Sequence, residues 1–75
     1  MNLAERIREI RKNRQVSQEH LAREAGLSLR AYRSIERGEA VDPHYSTLRR
    51  IARALGVSVG ELIGEVDTPK FLAVA

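Results

Sequence analysis

The sequence contains no cysteine, only two prolines and five glycines, and no long apolar run. The absence of cysteine excludes disulfides, cysteine-ligated zinc and thiol chemistry, and it agrees with a reducing compartment. No apolar stretch approaches the about 20 residues that a membrane-spanning helix needs, and the first residues do not follow a signal-peptide pattern. We therefore expect a cytoplasmic protein that does not contact a membrane.

The 75 residues are enough for one small domain, whose core is only just large enough to fold alone. The composition is that of a globular protein, with 43% apolar and 31% charged residues. The net charge is only +3, yet eleven of the thirteen cationic residues are arginine. Arginine suits planar recognition of phosphates and base edges better than lysine does, but an ordinary solvated surface explains the composition equally well.

Residues typical of catalytic or metal sites are scarce. His20 and His44 lie far apart in the sequence and have no cluster of ligand-type neighbours, so we expect no metal. No glycine-rich phosphate loop is present, and no pairing of a nucleophile with a base can be identified. The sequence therefore predicts neither an enzyme nor a cofactor.

Helical periodicity runs through most of the chain, and no segment alternates like a strand. Two capping-box patterns, Asn2 with Glu5 and Ser58 with Glu61, mark the starts of the first and last helices. The five predicted helices span about residues 3–14, 18–25, 28–38, 45–55 and 58–63. We therefore expect an all-α fold, with a domain over residues 1–63 and a tail over 64–75.

The predicted second and third helices are joined by the short link Ala25-Gly26-Leu27-Ser28. Gly26 suits the left-handed residue that ends a helix, and Ser28 suits the cap that begins the next one. A link this short makes the helices cross steeply. That is helix-turn-helix geometry, in which the second helix can enter the major groove of DNA.

The predicted third helix carries a narrow polar stripe. At about 100° per residue, the side chains within about 60° of Arg30 are Arg33, Ser34 and Arg37. The opposite side of the helix carries Ala31, Tyr32 and Ile35. Any surface helix with a charged outer face gives this pattern. However, the only acid between Arg30 and Arg37 is Glu36, which lies off the stripe, so these arginines have no acidic partner four residues away, and this favours a binding surface.

The motifs SQEHLAREAGLS, IERG and TLRRIARALGVSVGELI follow one another along the chain. In residues and spacing they resemble the Cro/lambda-repressor-like (XRE-type) helix-turn-helix family, over about residues 3–63. The resemblance implies a compact five-helix lambda-repressor-like domain that binds operator DNA, usually as a dimer and without a cofactor. It also implies the base-reading residues, which are Gln18, Leu29, Arg30, Arg33 and Ser34.

Matching positions in the family suggest how these residues act. Gln18 would reach a phosphate and the outermost base, Arg30 or Arg33 can pair with guanine O6 and N7, and Leu29 can touch a thymine methyl. The predicted phosphate contacts, which hold register without reading sequence, are Ser17, Arg14, Arg37 and His44. The resemblance also pairs Arg11 with Glu36 in a buried ion pair that ties the first helix to the third.

Two features depart from the family pattern. The loop after the third helix, basic in many relatives, is here Glu39-Ala40-Val41-Asp42, and its two acids predict weaker backbone binding or reliance on His44. Tyr32 stands where the family usually has an aliphatic core residue. We expect Tyr32 in the core with its hydroxyl at the edge, rather than stacked on a base.

These features predict a sequence-specific double-stranded-DNA-binding repressor that acts as a dimer on a near-palindromic operator. The residues predicted at the dimer interface, which could instead complete the core, are Val57, Val59, Ile63, Phe71 and Leu72. An antitoxin with a toxin partner, or a restriction–modification controller, would use the same domain. RNA polymerase is a further predicted partner of a regulator. From another class, a protein-interaction adaptor could keep this fold without the DNA site.

Overall fold

The computed structural model describes residues 2–39 and 43–64, which form five helices joined by short turns. The helices α1 to α5 span Leu3–Asn13, Gln18–Glu24, Leu29–Glu36, Tyr45–Leu55 and Val59–Ile63. The all-α prediction is confirmed, and each helix ends within two residues of its predicted bounds. Residues 65–75, with the predicted tail and its Phe71 and Leu72, lie outside the described residues. None of the helices in the described ranges is long and apolar enough to cross a membrane.

Side-chain caps set the starts of four of the helices in the described part of the chain. Asn2, Ser17, Ser28 and Ser58 each accept a hydrogen bond from the backbone N–H three residues further on. Both predicted capping boxes form, with reciprocal bonds of 2.9–3.0 Å between Asn2 and Glu5. At α4, His44 occupies the cap position without a side-chain cap bond. The caps supply acceptors for N–H groups that a helix start otherwise leaves unpaired.

The helices pack around one apolar core. α3 lies against α1 and α2, while α4 lies against α2 and α5, and α1 also contacts α5. The largest fully buried side chains come from all five helices: Ile7, Leu21, Tyr32, Ile51 and Leu62. Burying an aliphatic side chain of this size contributes about 1.5–3 kcal/mol. α3 is therefore fixed from two directions, and its remaining face is turned outward.

The link between α2 and α3 has the predicted left-handed residue. Gly26 has φ +72°, and a Cβ added there would meet no atom within 4 Å, so the dihedral angle and not space requires glycine. The N–H of Leu27 donates to the carbonyl of Ala22 at 2.8 Å, and the N–H of Gly26 donates to that of Arg23 at 3.1 Å. These bonds close α2 and turn the chain at once into α3.

Two predictions for α3 are wrong in part. Ala31 is exposed, not inward-facing, because the buried face of α3 is centred near Tyr32 and includes Glu36. At 100° per residue, Ala31 falls roughly 90° from the middle of that face. Tyr32 belongs to the core as expected, but its hydroxyl is not at the edge. The whole residue is buried, and the hydroxyl donates a hydrogen bond to the Glu36 carboxylate.

The carboxylate of Glu36 is buried and hydrogen-bonded on both oxygens. The predicted ion pair is confirmed, with Arg11 Nε 2.6 Å from Oε2 and Arg11 Nη2 3.2 Å from Oε1. Gln18 Nε2 donates to Oε1 at 2.9 Å, and Tyr32 donates to Oε2. Arg11 Nη1 also donates to the carbonyl of Val16 at 2.9 Å. We call these four side chains, Arg11, Gln18, Tyr32 and Glu36, the Glu36 cluster.

The Glu36 carboxylate stays ionised because of these hydrogen bonds. Burial alone would raise the pKa of Glu36, but hydrogen bonds from Arg11, Tyr32 and Gln18 outweigh it and hold that pKa below its ordinary value. Burial, together with the neighbouring Glu36 carboxylate, raises the pKa of the Tyr32 hydroxyl, which therefore remains a donor. The cluster thus joins α1, α2 and α3 through hydrogen bonds to one carboxylate.

We predict that Glu36→Gln lowers the free energy of unfolding at pH 7 by about 3–5 kcal/mol, because Arg11 loses its carboxylate partner. The pKa of Glu36 is lower in the folded than in the unfolded state, so its contribution is complete above the unfolded value, about 4.3. The contribution is lost as pH falls through the folded-state pKa. Urea unfolding followed by circular dichroism between pH 3 and pH 7 should show the difference in stability between the two proteins becoming smaller as the pH falls below about 4.3.

The control for this prediction is Glu9→Gln, which makes the same chemical change at an exposed position of α1. We expect it to change the free energy of unfolding by less than about 0.5 kcal/mol. A difference between wild type and Glu36→Gln that is as large at pH 3 as at pH 7 would contradict the assignment of an ionised, bonded carboxylate.

Candidate nucleic-acid interface

The outward side of α3 carries the predicted arginine stripe. Arg30 and Arg33 are exposed, Ser34 is half-buried, and Arg37 is exposed as the cap that ends the helix. The apolar side of the same helix is held by the core, and Glu36 is held by α1 and α2. The structure therefore presents these four polar side chains on one face of a helix whose rotation is fixed.

Leu29, at the first position of α3, lies at the border between the stripe and the core. Its side chain is half-buried and packs against the core cluster. Only part of it is accessible from outside. An apolar contact with a thymine methyl needs only such a partly exposed edge, so the location agrees with the predicted role.

The start of α2 lies beside the stripe. Ser17 accepts from the N–H of His20 at 3.0 Å, which leaves its own hydroxyl hydrogen available to an acceptor. Gln18 is half-buried, and its carbonyl oxygen Oε1 accepts from Arg33 Nε at 3.2 Å. Two predicted base-reading residues, Gln18 and Arg33, are thus in direct contact, a link for which the sequence gives no signal.

Arg37 is paired with the first acid of the loop that follows it. Its Nη2 lies 3.3 Å from Glu39 Oε1, and both side chains are 59% exposed. A pair this exposed contributes little to stability, but it places a carboxylate where a phosphate would have to approach Arg37. The remaining loop residues, Ala40, Val41 and Asp42, lie outside the described residues.

The other two predicted phosphate contacts are separate from α3. Arg14 is exposed just after α1, and its Nη1 lies 3.6 Å from the position of a Cβ added at Gly56, at the end of α4. The C-terminal end of a helix is the favourable end for a cation. His44 is exposed at the start of α4. The structure therefore places the Arg14 guanidinium beside the end of α4.

Several arginines that the sequence left unassigned have clear positions. Arg6 Nε donates to the carbonyl of Glu61 at 2.7 Å, and Arg8 Nη1 donates to that of Glu36 at 3.4 Å. Both cations therefore serve the C-terminal ends of helices. Three exposed arginines on α4 line a groove together with Val57 and Val59; they are Arg49, Arg50 and Arg53. The only sequence signal for this second basic face is the acid-free stretch Tyr45–Leu55.

Metal-binding groups are not assembled around the stripe in the part of the chain that the structure describes. In residues 2–39 and 43–64, no group of three or more His, Cys, Asp or Glu side chains could hold a metal ion. What the stripe offers is a set of planar, permanently charged donors. Such donors fit phosphate oxygens and the acceptor edges of bases.

A helix-turn-helix family model matches residues 7–62, which include all of the core helices from α2 to α4 and most of α1 and α5. The chain belongs to the XRE-type helix-turn-helix family. The resemblance inferred from the motifs is thereby confirmed, and so is the lambda-repressor-like fold.

Two relatives have names that describe their function. The chain is 42% identical over 65 residues to the immunity repressor protein of Bacillus phage phi105, covering 87% of this chain and 44% of that protein. It is 39% identical over 68 residues to the cryptic phage CTXphi transcriptional repressor RstR of Vibrio cholerae, covering 91% of this chain and 60% of that protein. The chain thus spans about half the length of the curated relatives it matches.

We predict that Glu39→Gln raises the affinity for a random-sequence DNA duplex, because it removes the carboxylate that competes with phosphate for Arg37. A surface pair of this kind is worth about 0.2–1 kcal/mol, so the gain should be roughly 1.4- to 5-fold. Fluorescence anisotropy with a labelled duplex at low salt would measure it.

Glu24→Gln is the matched control, since Glu24 lies at the far end of α2, in a groove with Arg50 and Arg53. It changes the net charge equally without altering the surroundings of Arg37. Equal gains from the two variants would mean that net charge alone explains the effect, and not the Arg37–Glu39 pair.

Proposed function

We propose that this chain is a DNA-binding transcriptional repressor that inserts α3 into the major groove of its operator. The observation that carries the proposal is the exposed stripe of α3, in which Arg30 and Arg33 project from a helix fixed by the Glu36 cluster. The short α2–α3 turn at Gly26 and the match to a helix-turn-helix family model support this mode of docking. Two relatives named as repressors support the regulatory part of the proposal.

In the proposed complex, Arg30 and Arg33 read base edges, and Leu29 and Ser34 contribute from the same face of α3. A guanidinium can pair with both O6 and N7 of guanine, the commonest specific contact in the major groove. The phosphate contacts come from either side of the groove, from Ser17, Arg37 and His44. Arg14, exposed beside the end of α4, is the fourth proposed phosphate contact.

We further propose that two copies bind a near-palindromic operator. Val57 and Val59 are half-buried and line the groove that carries Arg49 and Arg53, so a twofold contact on that side would bring like charges together. Ile63 is also half-buried, but it is not among the side chains that pack on the core in the described residues. The contact that fits best is therefore centred on Ile63.

Selection from a random duplex library tests the function directly. We expect enrichment of a near-palindrome with half-site centres about 10 bp apart, the spacing of one helical turn. Enrichment of a single half-site would contradict the dimer and leave DNA reading intact. No enrichment, together with no binding to random duplex at low salt, would contradict the repressor proposal and favour the adaptor alternative.

We predict that Arg33→Ala lowers affinity for the selected duplex by about 1–3 kcal/mol and relaxes base preference at one position of each half-site. The reason is that alanine cannot supply the paired donors that guanine accepts. Fluorescence anisotropy against the selected duplex and single-base variants of it would measure both effects. The dependence of affinity on salt should remain nearly that of the wild type.

Arg23→Ala is the control, because it removes the same charge from an exposed position in the last turn of α2. We expect it to leave base preference unchanged. If Arg33→Ala instead weakens binding equally on random DNA and reduces the salt slope by about 1, Arg33 contacts a phosphate and does not read a base.

A further inference from the structure

Gln18 connects the interior of the domain to the arginine stripe. Its Nε2 donates to Glu36 Oε1 at 2.9 Å, and its Oε1 accepts from Arg33 Nε at 3.2 Å. The orientation of the amide is fixed by chemistry, because a carboxylate only accepts hydrogen bonds and a guanidinium only donates them. A continuous chain of hydrogen bonds therefore runs from Arg11 through Glu36 and Gln18 to Arg33.

The two ends of this chain differ in mobility. Glu36 is 3% exposed and is also bonded to Arg11 and Tyr32, so it is a fixed anchor. Arg33 is exposed, and a free arginine side chain samples many rotamers. Ordering a side chain of this kind on binding lowers affinity, and a bond that orders it beforehand removes part of that cost.

The bond to Gln18 also determines which part of Arg33 is available. The guanidinium has five N–H donors, and Gln18 uses the single one on Nε. The four that remain are on Nη1 and Nη2, at the outer end of the side chain. Two of them, one on each nitrogen, form the parallel pair that guanine O6 and N7 accept.

We propose that Gln18 is a positioning residue for Arg33: it anchors Arg33 Nε to the buried Glu36 carboxylate, so that the Nη1 and Nη2 end of the guanidinium faces the base. This inference rests on the proposed reading role of Arg33. It differs from the role implied by the family resemblance, in which Gln18 itself reaches a phosphate and the outermost base. The second hydrogen on Gln18 Nε2 could still meet a phosphate, so the two roles need an experiment that separates them.

The first measurement uses the free protein. In the ¹⁵N NMR spectrum, we expect the Nε–H of Arg33 to exchange slowly with water in the wild type. In Gln18→Met, which keeps the length of the side chain but has no amide, it should exchange at the rate of an ordinary exposed arginine. A fast-exchanging Nε–H in the wild type, or no change in Gln18→Met, overturns the proposal whatever the protein does with DNA.

The second measurement is a double-mutant cycle on the selected duplex, with Gln18→Met, Arg33→Ala and the combined variant. We expect Gln18→Met to weaken binding roughly 2- to 10-fold and to relax preference at the base position that Arg33→Ala affects. In the Arg33→Ala background, the same change should have almost no effect. A purely structural role of Gln18 would lower the melting temperature but would not confine the loss to one base position.

The outcomes distinguish the two roles. If Gln18→Met weakens binding equally with and without Arg33, and does so on random duplex with a smaller salt slope, Gln18 contacts a phosphate directly and the proposal is overturned. If the Nε–H results are as expected but Arg33→Ala leaves base preference unchanged, the reading role of Arg33 fails. The positioning role then fails with it, although the hydrogen bond in the free protein stands.

Discussion

The buried carboxylate of Glu36 is the interaction on which the placement of the α3 arginine stripe depends. It receives hydrogen bonds from α1, α2 and α3, through Arg11, Gln18 and Tyr32, and in the described part of the chain Arg11 is the cation that pairs with it. Removing one member of a buried ion pair lowers stability far more than replacing both members with well-packed apolar residues does. The net stability that such a cluster adds is therefore small, and its main effect is geometric. All of its hydrogen bonds form together in only one relative placement of the three helices.

The arginines of α1 and those of α3 have different roles within this arrangement. Arg6, Arg8 and Arg11 on α1 donate to backbone carbonyls or to Glu36, and they hold helices together. Those on the outer side of α3, Arg30 and Arg33, project from the domain. The high arginine content thus does not measure DNA affinity, since a guanidinium with several donors in one plane serves a helix end as well as it serves a phosphate.

Most of the fold was predictable from the sequence because its signals are local. Side-chain caps at Asn2, Ser17 and Ser28, with a left-handed glycine at Gly26, fix helix ends without reference to the rest of the chain. The incorrect predictions concern positions whose surroundings are determined by residues distant in the sequence. Helical angles alone place Ala31 inward, because they do not include the pairing of Glu36 with Arg11, 25 residues earlier, which turns Glu36 into the buried face and Ala31 out of it. The family resemblance indicates that pair, but the angles do not. The bond between Gln18 and Arg33, 15 residues apart, has no signal at all.

The loop after α3 begins with an acidic residue, Glu39, which changes the charge available at the end of that helix. Glu39 is paired with Arg37 at the end of α3, where the proposed phosphate contact would form, while Arg30 and Arg33 lie further from it along the helix. A carboxylate there weakens the sequence-independent part of binding more than the base contacts, because phosphate contacts dominate affinity whereas base contacts dominate discrimination. In the proposed repressor, the loop therefore lowers overall affinity while preserving the ratio of specific to nonspecific binding, and that ratio determines occupancy among many competing sites.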